Sequence, residues 1–167
     1  MKRLLFPLLA ALALPTSLFS GEVVVNKDPM TDLKKIYMYV ESENYYKDLV
    51  GQSEKALLVI GCLDDPYDSE QTLQVSIEAG GLNIAEDKSV DLRLDKDKTF
   101  TERWTYRTDQ KGFQKINGRE FLKQIKNKSR LLFAFEDYPY TPRTILEFDL
   151  VDLNDQLNEG EKEGCKF

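Results

Sequence analysis

The chain has 167 residues, with 23 basic and 29 acidic side chains, two cysteines and no histidine. Without histidine there is no Ser-His-Asp or Cys-His nucleophile, no imidazole base and no imidazole-ligated metal. A hydrophobic fraction of 41%, with 11% aromatic residues, is too rich for a disordered chain, and the length suits one domain once the N-terminus is set aside.

Residues 1–20 read as a cleaved export signal. Lys2 and Arg3 form a positive start, Leu4 to Leu14 is an apolar run broken only by Pro7, and Pro15, Thr16 and Ser17 precede a cleavage point after Ser20. The run is about half of the roughly 20 residues that a spanning helix needs, and no cysteine stands near the cleavage point to carry a lipid. Removal takes away two positive charges and no negative ones, leaving 21 basic against 29 acidic groups and a net charge near −8. Such a surface repels nucleic acid and anionic lipid, so neither is an expected partner, and no permanent membrane anchor is expected.

Residues 21–167 read as a single β-rich domain. Apolar residues recur at every second position, the period of a strand. Ile36, Met38 and Val40 alternate with Lys35, Tyr37 and Tyr39. Ala56 to Ile60 is a continuous apolar run ending in Gly61-Cys62, which predicts a strand buried on both faces. Further strands are predicted around Leu73–Ile77, Val90–Leu94, Phe100–Arg107, Leu131–Phe135 and Leu146–Leu150, with Asp95-Lys96-Asp97-Lys98 as a turn. Phe100, Trp104 and Tyr106 fall on one side of their strand. Asn117 or Gly118 starts a short helix carrying Phe121, Leu122 and Ile125. A second helix carries Leu150, Leu153 and Leu157 and is expected to end at Gly160. The expectation is a mainly β, β-rich α+β fold: one antiparallel, sandwich-like domain of about seven strands with two short covering helices.

Cys62 and Cys165 are the only thiols. In an oxidising compartment they are expected to form one bond that ties the third residue from the C-terminus to the end of an internal strand. The alternative is a free buried Cys62 with a free exposed Cys165. No CxxC pair and no neighbouring base suggests redox chemistry.

Several constellations carry chemistry only on closer terms. Asp64, Asp65 and Asp68 offer oxygen ligands for Ca²⁺, but without the glycine turn and distal glutamate of a calcium loop they read as an acidic turn. Asp149, Asp152 and Asp155 sit near a helix start, where negative charge suits the dipole. Twenty-nine acidic residues provide no means of choosing a glycosidase pair, so no catalytic residue, metal or cofactor is assigned. Lys123 to Arg130 reads as the solvated end of a helix, and Asn127-Lys128-Ser129 as an incidental sequon. Tyr37 and Tyr39 lie opposite the apolar set of their strand, and Tyr138 and Tyr140 flank a proline. These four tyrosines are candidate partner-binding residues, because exposed tyrosine supplies contact area at low entropic cost. The simpler account of them is a second apolar face covered by a helix, or ordinary cross-strand aromatic pairs.

Three segments in order resemble the TagO/VasI family of exported accessory proteins of type VI secretion systems. They are Ala56-Leu-Leu-Val-Ile-Gly-Cys62; Arg103-Trp-Thr-Tyr106 followed by Phe121-Leu-Lys-Gln-Ile125; and Thr144-Ile-Leu-Glu-Phe-Asp-Leu150 followed by a Leu-rich helix and Cys165. Asp28-Pro-Met-Thr-Asp32 is similar to the family's acidic lead-in. The resemblance covers about residues 28–166 and implies a periplasmic, non-enzymatic protein that assists a secretion apparatus through protein partners in the cell envelope. Two other functions fit the same composition: a periplasmic inhibitor or immunity protein that blocks a wall hydrolase or toxin by charge complementarity, and a wall-active hydrolase.

Overall fold

A computed structural model describes residues 23–48, 50–65, 67, 71–81, 87–107, 111–137 and 141–167. Residues 1–20, expected to form an export signal, and Asp68, Tyr138 and Tyr140 lie outside them. The described residues form a β-rich α+β fold with eleven strands and two helices: β1 (Val24–Lys27), β2 (Lys34–Glu41), β3 (Tyr46–Lys47), β4 (Ser53–Glu54), β5 (Leu57–Leu63), β6 (Thr72–Glu78), β7 (Lys88–Leu94), β8 (Phe100–Tyr106), β9 (Gly112–Lys115), α1 (Gly118–Ile125), β10 (Arg130–Asp137), β11 (Thr141–Asp149) and α2 (Leu153–Lys162). Each of the seven expected strands is present. β1, β3, β4 and β9 are additions of two to four residues, too short to display a period.

Nine strands pair in the order β1-β2-β5-β6-β9-β8-β7-β10-β11, and β3 and β4 form a separate ribbon. All of the pairings are antiparallel. The two layers of the expected sandwich are therefore parts of one sheet that curls over on itself. Its last strand returns to its beginning, where Ser42, just past β2, bridges Phe148 of β11. Alternation sets what lies inside. Ile36, Met38, Leu58, Ile60, Val75, Ile77, Val90, Leu92, Leu131, Phe133, Leu146 and Phe148 are fully buried and share one core. Across it, Phe113 of β9 meets Phe135 of β10 edge-on, ring centroids 4.9 Å apart.

Trp104 is buried edge-on against both Phe121 and Phe133, each at 5.1 Å. Tyr106, two residues on, lies past the core and is 39% exposed, so the expected aromatic side of β8 is internal only at its middle. β5 also departs from expectation. Its inward residues are buried, but Leu57, Val59 and Leu63 on the other face are only half-buried, because no second layer among the described residues covers them.

α1 starts at Gly118 as expected and buries Phe121, Leu122 and Ile125. Gly118 sits against β6, where a Cβ would lie 3.0 Å from the Leu73 carbonyl oxygen. α2 does not end at Gly160. It continues to Lys162, and Gly160 is buried inside it against Met38, whose sulfur would lie 2.9 Å from a Cβ there. The terminating glycine is Gly164, at φ +106°. Its N–H donates to the Glu161 carbonyl (3.0 Å), and the Cys165 N–H donates to the Gly160 carbonyl (2.8 Å), the paired bonds of a Schellman cap. That cap aims Cys165 at Cys62. The two are disulfide-bonded, with Cα atoms 5.7 Å apart across a separation of 103 residues.

Candidate partner-binding face

The register of β2, β5 and β6 lays out the exposed side of the sheet in rows. Tyr37 stands beside Gly61 and Gln74, and Tyr39 beside Val59 and Ser76. Both tyrosines are half-buried. Tyr37 leans over Gly61, where a Cβ would come within 3.2 Å of two ring carbons, so the glycine is what allows the ring to lie flat on the strand. At the far wall the Arg107 guanidinium donates to Glu78 and, at 3.4 Å, to the hydroxyl of buried Ser76. Tyr37, Val59, Gly61, Gln74, Ser76, Glu78 and Arg107 line a cleft of about 320 Å³.

A second cleft, of about 430 Å³, opens beside it where β2 approaches β11. β1 pairs only with residues 34–37 of β2, so the rest of that strand's edge must find other partners. Gln156 of α2 supplies one: its side-chain oxygen accepts the Tyr39 N–H at 3.2 Å. Asn44 does the same for β11, donating to the Ile145 carbonyl (2.7 Å) and accepting the Glu147 N–H (2.8 Å). Ser42, fully buried, donates to the Asn44 carbonyl (2.8 Å) and accepts the Ala56 N–H (2.9 Å). Asn44 thus bonds across the seam to β11, beside a backbone bond from the Glu43 N–H to the Glu147 carbonyl (2.7 Å), while Gln156 caps the open edge of β2 and Ser42 ties the turn after β2 to Ala56. None of them stood out in the sequence, since an edge-capping Asn or Gln looks like any other surface polar residue.

Apolar Tyr39, Val40 and Leu57 line this second cleft together with Glu41, Glu43, Asp149 and Asp152. Lys55 is its lone cation among the described residues, and it is tied down by Glu41 at 2.9 Å and lies 5.6 Å from the Tyr45 ring centroid. The Glu41 hydrogen bond raises the Lys55 ammonium above its ordinary value, keeping it charged.

The other candidates serve the fold. Asp64 accepts the Lys34 N–H and the Gln71 side-chain amide, each at 2.8 Å, and these bonds, Gln71's first, hold its carboxyl below the usual range. Asp65 accepts the Tyr67 N–H at 2.8 Å. No group of three or more acidic or cysteine side chains is placed to hold a metal among the described residues. Asp149 accepts the Val151 N–H (2.9 Å), a turn bond leading into α2. In the basic stretch Ile125 is buried, Lys128 pairs with Asp97 (2.7 Å), and Arg130 pairs with Glu147 (2.6 Å), so these two charges are spent locally. Tyr37 and Tyr39 share a face; Tyr138 and Tyr140 lie outside the described residues. No helix among the described residues is long and apolar enough to cross a membrane.

Compared with known proteins, the chain matches no family model, no curated protein and no solved structure.

Proposed function

We propose that this chain is a periplasmic, non-enzymatic accessory protein of a type VI-like secretion system, exported by residues 1–20 and acting through contact with protein partners in the cell envelope. The observation that carries the contact reading is the strip Tyr37, Tyr39, Leu57 and Val59, half-buried on the sheet's outer side with no second layer over it among the described residues. Half-exposed aromatic and aliphatic side chains on a rigid sheet, rimmed by polar groups, are the anatomy of a binding patch. The disulfide between Cys62 and Cys165 is compatible with an oxidising compartment. The order of the three family-like segments supports the secretion system as the setting.

The alternative is a periplasmic inhibitor or immunity protein against a wall hydrolase or toxin. The acid-lined cleft beside the tyrosines favours it, because a carboxylate-lined surface steers a basic enzyme into contact. Deleting the gene separates the two. Loss of effector secretion, restored by the intact chain but not by a Tyr37→Ala variant, supports the accessory role. Unchanged secretion with new sensitivity to a co-produced toxin supports the inhibitor. Unchanged secretion and unchanged sensitivity reject both.

A further inference from the structure

The cleft at the β2–β11 seam combines two properties rarely useful to the same ligand. Its wall is apolar, made of the Tyr39 ring, Val40 and Leu57, while Glu41, Glu43, Asp149 and Asp152 contribute negative charge. Against these four carboxylates stands, among the described lining residues, only Lys55, already engaged by Glu41, leaving a local charge of about −3. A metal ion would use the carboxylates but not the wall, and the carboxylates do not converge as ligands. An apolar ligand would use the wall and leave the charges facing it. A long cationic side chain uses both, laying its methylene stem on the wall and its head among the carboxylates.

We propose that this cleft docks a lysine or arginine side chain projecting from a basic segment of a partner protein. The stem lies along Tyr39 and Leu57 and the cationic head meets Glu43, Asp149 and Asp152. Gln156, only 4% exposed and held by the Tyr39 N–H, fixes the inner side of the cleft, so the site is formed before the partner arrives and binding costs little ordering. A net negative chain adds long-range attraction toward such a partner. This assignment rests on the reading of the chain as a protein-binding module, and it names the chemistry of the partner.

The test is a nuclear magnetic resonance titration of the disulfide-bonded protein with hexalysine at about 150 mM salt, where exposed long-range charge effects are largely screened. The expected shifts concentrate at the Tyr39 backbone amide and the Gln156 side-chain amide. The variant Glu43→Gln/Asp149→Asn/Asp152→Asn should weaken binding by about tenfold. Asn at 149 keeps the oxygen that accepts the Val151 N–H. A variant of equal charge change on the exposed face of α2, Asp155→Asn/Glu159→Gln/Glu161→Gln, should weaken it less than about threefold. Equal weakening by the two variants, shifts scattered over the surface, or cadaverine binding the cleft as tightly as the peptide would each overturn the proposal. If the peptide avoids the cleft while Tyr37→Ala abolishes secretion, the docking assignment fails and the accessory role stands. If it docks there while gene deletion changes neither secretion nor toxin sensitivity, the reverse holds.

Discussion

Ser42 and Phe148 face each other as an isolated antiparallel bridge, and through it β11, the last strand of a nine-stranded sheet, meets the end of β2, its second. Phe148 is fully buried, and Ser42 beside it is a fully buried hydroxyl bonded on both sides to backbone. The seam is held by one backbone bond, from the Glu43 N–H to the Glu147 carbonyl (2.7 Å), and by the two Asn44 side-chain bonds to β11, where the rest of the sheet is held by ladders. With so few bonds across it, the seam is sensitive to small polar changes.

Ser42→Ala strands the buried Ala56 N–H and should destabilise by about 1–3 kcal/mol; Asn44→Ala, at a more exposed position, should cost about 1 kcal/mol. Urea unfolding gives both values. Hydrogen exchange gives the location: in Asn44→Ala the Glu147 amide should exchange faster while the Phe133 amide, on the neighbouring strand, keeps its protection. Unaltered Glu147 exchange would mean that another group holds β11.

The disulfide closes a loop of 103 residues, which by chain entropy is worth up to about 4–5 kcal/mol. Cys62→Ser/Cys165→Ser should lower the denaturation midpoint accordingly. Because the bond anchors the Schellman cap of α2, amides of residues 153–162 should lose protection before those of β10. Mass spectrometry without reductant should find no free thiol in the purified protein.

Acid sensitivity follows from Asp95. Its carboxylate accepts the Ser129 hydroxyl (2.8 Å), the Ser129 N–H (2.9 Å) and the Arg130 N–H (3.0 Å), and these bonds, Ser129's first, lower its pKa. Asp91 is lowered in the same direction by Arg143 and then Thr101. A carboxyl with a depressed native value contributes stability that is present above its unfolded value of about 4 and is lost as pH falls through the native one. Stability should therefore drop below about pH 4, and Asp95→Asn should make that acid limb shallower. An identical limb in the variant would remove Asp95 from the account. Tyr46 acts at the opposite end. Burial, then Glu54, raises its phenol above the ordinary range, so stability also falls as pH climbs past about 10.

On the outer face, Tyr37→Ala and Tyr39→Ala should each weaken partner binding by about tenfold or more if these rings are anchors, with small effects on stability because each is only half-buried. Gly61→Ala is the complementary change. It keeps the tyrosine but displaces its ring, and it should weaken binding without removing any contact group. Surface plasmon resonance against the captured partner measures all three.

The seven longer strands were legible because each buries one face, and burial writes itself as alternation, as in Ile36 and Met38 or Val90, Leu92 and Leu94. β9 was not: four residues hold only two inward positions, and its placement comes from pairing with both β6 and β8. Gly160 and Gly164 show the same limit. Either glycine can end a helix, and the choice fell to Met38, which needs the missing Cβ at 160 for close approach. The candidate face was half legible. Tyr37 and Tyr39 could be assigned opposite the core from their period alone, whereas the cleft beside them joins residues more than 100 positions apart, Tyr39 and Gln156.

Period and residue type by themselves determined a β-rich chain with a defined inside, one pair of thiols and an acidic surface. Only the tertiary structure decided that the sheet curls until β11 meets β2, that Asn44 bonds across while Gln156 caps the open edge of β2, and that an acid-lined apolar cleft opens there. The reason is physical. Alternation reports which way a side chain faces, while closure depends on which unpaired backbone groups come within hydrogen-bond reach, a distance that no local pattern encodes.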